Sequence, residues 1–340
     1  MREDSQNRPL GPRLHGLDAL RGIAAFWVVL MHAHVLFPSG IPDISPKGYL
    51  AVDFFFVLSG YVMARTYEPR MQDGLASATF FFARLKRLWP TMALGGLLFL
   101  PYLAEGSRGE IYDPLAVIAL NLLLLPSPWT NNAFPLNVPA WSIFYELLAN
   151  LLHAMLLWRR STAFVAAIAL ISLAALCWFV PRLGSFDIGA HKGELLAGLA
   201  RVSLTYCIGI ILWRTWGERR LPAIAAIPAL LFMPWAFAQA PLDLVRWWQF
   251  DFAFVVIAAP LLLVAGLALR GGVVLAKLGG ELSFPLYATH YPTLYWCRDA
   301  GMGAVESIAA CVVVAGVVAG LQMAWTRHRS SARRMEHRGI

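Results

Sequence analysis

The feature that most constrains this chain is a series of apolar runs, each about 20 residues long, joined by short polar connections. Residues 161–180, 221–238 and 304–325 are examples. With 59% hydrophobic and only 14% charged residues in 340, the chain carries far more apolar sequence than a soluble core holds. A bilayer accepts such runs as helices, whose backbone groups are bonded internally. We therefore expect an all-α, polytopic integral membrane bundle.

The distribution of Lys and Arg indicates how many apolar runs cross the membrane, because basic residues favour the cytoplasmic side. If every run crossed, Arg159, Arg160 and the arginines after residue 326 would face outward. These residues return to the cytoplasmic side if the segment near 111–139 enters and leaves the membrane on one side. The outer basic residues are then only Lys47, Arg108, Arg182, Lys192, Arg246 and Arg298. We expect about ten crossings, with both termini in the cytoplasm and one re-entrant or interfacial outer segment.

A single membrane domain is the simplest organisation of such a chain. We assign residues 1–16 to a cytoplasmic N-terminal segment, 17–326 to the membrane domain and 327–340 to a basic cytoplasmic tail. The first apolar run lacks a small-residue cleavage pattern, so it is expected to stay as a span. The net charge of +8 lies between spans and not on a folded soluble region, so no nucleic-acid partner is expected. The four cysteines form no C-x-x-C pair, so no metal site is indicated.

Ionisable residues inside the first span are the strongest indication of function. An Arg at the membrane centre costs about 2.5–3.5 kcal/mol, so such residues usually line a cavity. Arg21 and His32 are separated by about 16 Å along a helix and lie within ~20° of the same face. Asp18 is placed to pair with Arg21. His34 points ~200° away from His32, which disfavours a metal site built from the two histidines.

The predicted orientation divides the polar side chains by depth. On the cytoplasmic side we expect Arg21 with the cluster Arg84-Leu-Lys-Arg87. In the outer half we expect ionisable groups from several spans, namely His32, Asp53, Glu146, Arg201 and His290. An imidazole can take a proton from a hydroxyl, and a carboxylate can orient it. Arginines one turn apart can bind phosphates. This layout suits a phosphate-bearing donor inside and a hydroxyl acceptor outside.

Five stretches resemble, in order, the motifs of the acyltransferase 3 family of membrane O-acyltransferases. The most specific is Arg21 followed by His32 in the first span. The other four are residues 48–61, which contain Phe-Phe-Val-Leu-Ser-Gly-Tyr; Arg84-Leu-Lys-Arg87 with Pro90; the run Trp-Ser-Ile-Phe-Tyr-Glu at 141–146; and residues 278–292 with Ser283, Tyr287 and His290. The resemblance covers residues 14 to 326.

The resemblance implies transfer of an acyl group, usually acetyl, from a cytoplasmic coenzyme A thioester to an acceptor outside. The acceptor is expected to be a carbohydrate or lipid-linked glycan, and the location a cell inner membrane, in contact with its lipids. Acetyl-CoA is then a donor substrate, with no cofactor bound permanently. Catalytic roles are expected for Arg21, His32, Glu146 and His290, and contacts to coenzyme A for Arg21, Arg84 and Arg87.

Two other functions fit the same residues. In a proton-coupled or anion transporter, the intramembrane ionisable groups would form a pathway, although the chain lacks the internal repeats that transporters often show. A non-catalytic assembly factor would bind no coenzyme A. Within the acyltransferase interpretation, direct transfer and an acyl-histidine relay both remain open.

Overall fold

The computed structural model describes residues 13–106, 113–239, 247–269 and 273–336. Within these ranges the chain is all-helical, and its extended pairing is limited to one isolated bridge between Asn132 and His191. The predicted all-α membrane class is confirmed.

Twelve α-helices follow one another in the described ranges. They are α1 (His15–Leu36), α2 (Leu50–Gln72), α3 (Ser77–Gly106), α4 (Pro114–Leu122), α5 (Ala140–Met155), α6 (Thr162–Leu183), α7 (Leu195–Trp216), α8 (Ala226–Phe237), α9 (Trp247–Ala253), α10 (Ala259–Gly266), α11 (Val273–Asp299) and α12 (Ala304–Glu336). A π-helical turn, Phe254–Ala258, joins α9 to α10 without a break.

Six of these helical stretches are long and apolar enough to cross a membrane. They are His15–Leu36, Leu50–Gln72, Thr162–Leu183, Lys192–Trp216, Trp248–Gly266 and Ala304–His328. Helices α3 and α11 have sufficient length, at 30 and 27 residues, but carry charged side chains. Helices α5 and α8 have 16 and 12 residues. The chain is therefore a multi-pass membrane protein, and the count of ten crossings stays a prediction.

Local sequence explains where the helices begin and end, as α6 illustrates. The Ser161 hydroxyl accepts a hydrogen bond from the Phe164 N–H at 3.2 Å and caps the first turn. At the other end Gly184 adopts a left-handed φ of 75°, which glycine tolerates without steric cost. The run predicted at 161–180 is thus one capped helix.

The segment near 111–139, predicted to be re-entrant or interfacial, contains only the short helix α4. Its nine residues span about 13.5 Å, less than half of a hydrocarbon core of about 30 Å. The Asn121 side chain accepts from the Leu136 N–H at 3.1 Å and donates to the Ala133 carbonyl at 3.2 Å. Non-helical backbone is thus bonded inside the protein, as membrane depth requires. Residues 111 and 112 of the predicted segment lie outside the described residues.

Close packing of α1 against α11 positions the polar residues of the first span. A Cβ atom on Gly22 would lie 2.7 Å from the Gly279 Cα, so the two backbones touch. Small residues allow this approach between membrane helices. Helix α11 also packs against α3 and α12, while α2 packs against α7. Polar side chains of α1 and α11 therefore face one another in the interior.

Candidate functional site

Two of the predicted site residues, His32 of α1 and His290 of α11, contact each other between these helices. The Nδ1 atom of His32 lies 3.2 Å from Nε2 of His290, and the ring centroids are 5.0 Å apart. His290 is fully buried, whereas His32 is half-buried. The expectation that these two residues lie together in one region is met, across 258 positions of sequence.

The hydrogen bonds of the pair determine where the protons lie when both rings are neutral. Nδ1 of His290 lies 3.0 Å from the Leu286 carbonyl and 2.8 Å from the Tyr287 carbonyl, so it must donate. Nε2 of His290 then accepts, and Nδ1 of His32 donates to it and to the Val28 carbonyl at 3.0 Å. Nε2 of His32 is left with a lone pair, which is the form a general base requires.

A narrow cavity of about 230 Å³ lies between α1, α2, α3, α5 and α11. It extends from Val52 to Arg65 along α2, which is about 20 Å at 1.5 Å per residue. Its charged lining has five arginines and two carboxylates, namely Arg13, Arg21, Arg65, Arg84, Arg87, Asp18 and Glu146. The cavity therefore favours a long anionic ligand.

Helix directions indicate which end of the cavity is charged. Arg65 lies near the end of α2, and Arg84 and Arg87 lie near the start of α3, so these arginines surround one end. At the other end the lining is Val52 and Phe55 near the start of α2, with apolar neighbours between. The cavity thus has a cationic mouth and a mostly apolar interior.

Asp18 connects Arg13, which precedes α1, with Arg21 of α1 at this mouth. Its Oδ2 accepts from the Arg13 Nε at 2.6 Å, and its Oδ1 lies 3.6 Å from the Arg21 Nη1. The predicted pairing of Asp18 with Arg21 is confirmed. Arg13 also reaches Glu281 of α11 at 3.4 Å, a contact the sequence alone did not indicate. The pKa of Arg13 is lowered by burial, but hydrogen bonds and charge from Asp18 and Glu281 outweigh this, so its pKa is raised.

Glu146 lies with the arginines and not with the histidines, which corrects its expected position beside His32. Its Oε1 accepts from the Arg84 Nη2 at 2.6 Å and from the Ser59 hydroxyl at 3.1 Å. The physical reason is that the inward-facing carboxylate finds a buried guanidinium, only 5% exposed, on the neighbouring helix α3. Glu146 therefore belongs to the cationic cavity.

The deep end of the cavity approaches the histidine pair. Tyr287 and Ser142 both line the cavity, and their hydroxyl oxygens are 2.7 Å apart. The Tyr287 ring centroid lies 5.9 Å from that of His290, one turn further along α11. The cavity lining therefore ends one ring away from the histidine pair, which is not itself part of the lining.

Arg201 and Asp53, two other ionisable residues expected in the outer half, form a separate structural pair. The Arg201 Nη2 donates to the Asp53 Oδ2 at 2.7 Å, and both side chains are fully buried. Arg201 also donates to the carbonyls of Ile188 and Tyr49, each at 3.0 Å. These bonds tie α2, α7 and two loops together, so we place the pair in the scaffold.

A second buried network, centred on His153, was not predicted from the sequence. His153 lies 3.2 Å from the Glu68 Oε1 and 3.0 Å from the Tyr206 hydroxyl. Arg214 donates to both oxygens of Glu68. Glu68 and Arg214 lie near span ends, where basic and acidic residues are common, so no pattern distinguished them.

The Nδ1 atom of His34 lies 3.1 Å from the Ile41 carbonyl, so His34 does not join His32. Among the described residues, no three His, Cys, Asp or Glu side chains form a group that could hold a metal ion.

Comparisons with known proteins identify the family of this chain. A family model described as an acyltransferase domain matches residues 14–325. Protein 2 of the picA locus of Rhizobium radiobacter is 36% identical over 155 residues, which cover 41% of this chain and 79% of that protein. A Bacillus subtilis (strain 168) protein described as a candidate peptidoglycan O-acetyltransferase is 26% identical over 223 residues, 61% of this chain and 34% of that protein.

A Staphylococcus aureus (strain COL) protein described as a candidate O-acetyltransferase is 34% identical over 79 residues, 23% of this chain and 12% of that protein. The matched segments thus span about a third or less of these two O-acetyltransferase relatives. No solved structure matches the chain. Since the family model covers nearly the whole described membrane region, the chain belongs to the acyltransferase 3 family.

Proposed function

We propose that this protein is a membrane O-acyltransferase that moves an acyl group, acetyl in the simplest case, from cytoplasmic acyl-CoA to a hydroxyl of a glycan at the outer face. The observation that carries the proposal is a cavity with a cationic mouth whose deep end, at Tyr287, lies next to a histidine pair. In this pair the neutral His32 presents a lone pair on Nε2.

Charge supports coenzyme A as the donor. Its phosphates carry several negative charges, and arginine binds phosphate through paired N–H donors. Arg87 is exposed at the mouth and forms no ion pair with a carboxylate in the described part of the chain, so it is available to a ligand. Arg84 is already paired with Glu146, which holds it in place. We assign the first phosphate contact to Arg87 and a supporting role to Arg84.

Length supports an elongated donor. The cavity extends about 20 Å along α2, and Arg21 lies about 16 Å from His32 along α1. The adenosine phosphates would stay at the mouth while the narrow pantetheine arm occupies the apolar interior. The thioester then reaches the deep end beside Tyr287, close to the histidine pair.

The histidine pair supports the chemistry of transfer. Nε2 of His32 takes the proton of the acceptor hydroxyl, and the hydroxyl oxygen attacks the thioester carbonyl carbon. A new C–O bond forms, the C–S bond breaks, and the coenzyme A thiolate recovers the proton from His32. The alternative relay begins with attack of the same lone pair on the thioester and gives an acyl-histidine. In the relay, coenzyme A is released before any acceptor binds, which rapid-mixing kinetics without acceptor would reveal.

The glycan acceptor is supported by the description of the Bacillus relative as a candidate peptidoglycan O-acetyltransferase. The distribution of basic residues supports an inner-membrane orientation with both termini in the cytoplasm. In this orientation the cationic mouth opens to the cytoplasm, where acyl-CoA is made.

The test is to purify the protein in detergent and to follow release of coenzyme A from acetyl-CoA with soluble peptidoglycan fragments as acceptor. His32→Ala should reduce the rate by about 10²–10⁴-fold, the usual contribution of a general base. His34→Ala is the matched control on the same helix, and it should keep the rate within a few-fold. Full transfer by His32→Ala would overturn the proposed mechanism. Acetyl-CoA should also raise the melting temperature of the wild type.

A further inference from the structure

Two aromatic rings stand between the cavity and the histidine pair. Phe55 of α2 and Tyr287 of α11 line the deep end, with ring centroids 6.0 Å apart in an edge-to-face arrangement. Beyond them lies His290, whose ring centroid is 5.9 Å from that of Tyr287. An acyl group that travels from the cavity toward His32 must therefore pass these two rings.

Phe55 also connects two otherwise separate apolar clusters. One cluster surrounds the cavity, and the other contains Ala25, Val29 and Leu286, on the same helices as the histidines. Phe55 packs against both. Its ring thus occupies the boundary between the space that would hold the donor and the space around the histidine pair.

The two rings differ in how firmly they are held. Tyr287 is buried, and its hydroxyl lies 2.7 Å from the Ser142 hydroxyl and 3.2 Å from the Pro139 carbonyl. Phe55 is half-buried and is held only by apolar and aromatic contacts. Rotation of Phe55 therefore breaks no hydrogen bond, whereas displacement of Tyr287 leaves buried polar groups unpaired.

We propose that Phe55 closes the deep end of the cavity and limits the transferred acyl group to short chains, with acetyl favoured over butyryl. The inference rests on the proposed function, because it assumes that the cavity holds an acyl-CoA. The acyl carbons beyond the thioester carbonyl must fit between the Phe55 ring and the histidine pair. Each extra methylene in such a pocket changes selectivity by about 10–200-fold. A smaller side chain at position 55 admits the extra carbons.

The experiment compares acetyl-CoA with butyryl-CoA in the full-length wild type, Phe55→Leu and Phe55→Ala. Coenzyme A release with soluble peptidoglycan fragments gives kcat/KM, and thermal stabilisation by each thioester gives relative affinity without any acceptor. Phe80→Leu is the matched control, because Phe80 is 1% exposed and packs on Tyr67 outside the cavity lining.

The acetyl-to-butyryl ratio of kcat/KM should fall by at least about 10-fold in Phe55→Ala and by less in Phe55→Leu. Phe80→Leu should keep the wild-type ratio. Phe55→Leu removes the ring but retains most of its volume, so it carries the test if the alanine variant does not fold. An unchanged ratio in a folded Phe55 variant, with an active wild type, overturns the inference alone. A wild type that neither binds nor uses either thioester overturns the proposed function and this inference together.

Discussion

His290 contacts His32 through its Nε2, 3.2 Å from the His32 Nδ1, while its own Nδ1 is held by two backbone carbonyls. A ring fixed in this way can only accept at Nε2 when neutral, so it selects one tautomer of its neighbour. Through this contact, the position of His290 on α11 determines which nitrogen of His32 on α1 is basic.

The first prediction concerns His290 as a positioning residue. His290→Ala removes the acceptor that orients His32, so kcat should fall, though by less than the 10²–10⁴-fold expected for loss of the base itself. The KM for acetyl-CoA should change little, because His290 lies beyond the cavity lining. Steady-state coenzyme A release measures both constants. His290→Gln retains a side-chain acceptor and should recover part of kcat. A purely structural role predicts a lower melting temperature and no such recovery.

The second prediction concerns Arg87 at the mouth of the cavity. Loss of one charge-assisted phosphate contact costs about 1.5–3 kcal/mol, which corresponds to roughly 10–150-fold in affinity. Arg87→Gln should therefore raise the KM for acetyl-CoA with little change in kcat, and Arg87→Lys should recover only part of the loss. Arg159→Gln is the control. The Arg159 Cζ lies 4.8 Å from the centroid of the Trp158 ring, and neither residue belongs to the cavity lining. An unaltered KM in Arg87→Gln would remove this residue from the donor site.

The third prediction follows from the position of Glu146 beside Arg84. Truncation to Glu146→Ala leaves a buried guanidinium unpaired, and breaking such a pair costs about 3–5 kcal/mol. The melting temperature should fall, and the KM for acetyl-CoA should change because Arg84 loses its orientation. Glu146→Gln keeps an acceptor oxygen and should be milder. If only the KM for the glycan acceptor changed, Glu146 would instead act beside His32, as its predicted depth in the membrane span suggested.

Much of the architecture could be predicted from residue types along one helix. The spacing of Arg21, Asp18 and His32 is a property of α1 alone, so helical geometry was enough to place them. A non-crossing segment near 111–139 was predicted from charge alone, because a crossing there would put later basic residues such as Arg159 and Arg160 outside. In this segment the structure has the short helix α4.

Contacts between helices could not be predicted in the same way. Depth along a span placed Glu146 beside His32, but its partner was decided by which neighbour of α5 offered a buried guanidinium, and Arg84 did so 62 positions away. In the sequence, Phe55 was identified only as one residue of the motif within 48–61. Its place between the cavity and the histidines depends on how α2, α5 and α11 pack, which no single-helix pattern records.

The last prediction tests whether Arg201 and Asp53 belong to the scaffold. Both side chains are fully buried and bonded to each other at 2.7 Å, so Asp53→Asn should destabilise the protein by up to about 3–5 kcal/mol. The melting temperature in detergent should fall, while the KM for acetyl-CoA of the protein that remains folded stays near the wild-type value. The double variant Asp53→Leu with Arg201→Met removes both charges together, and it should be more stable than Asp53→Asn because no buried charge is left unpaired. A normal melting temperature with lost transfer would contradict the scaffold assignment and place this pair in the path of the acceptor.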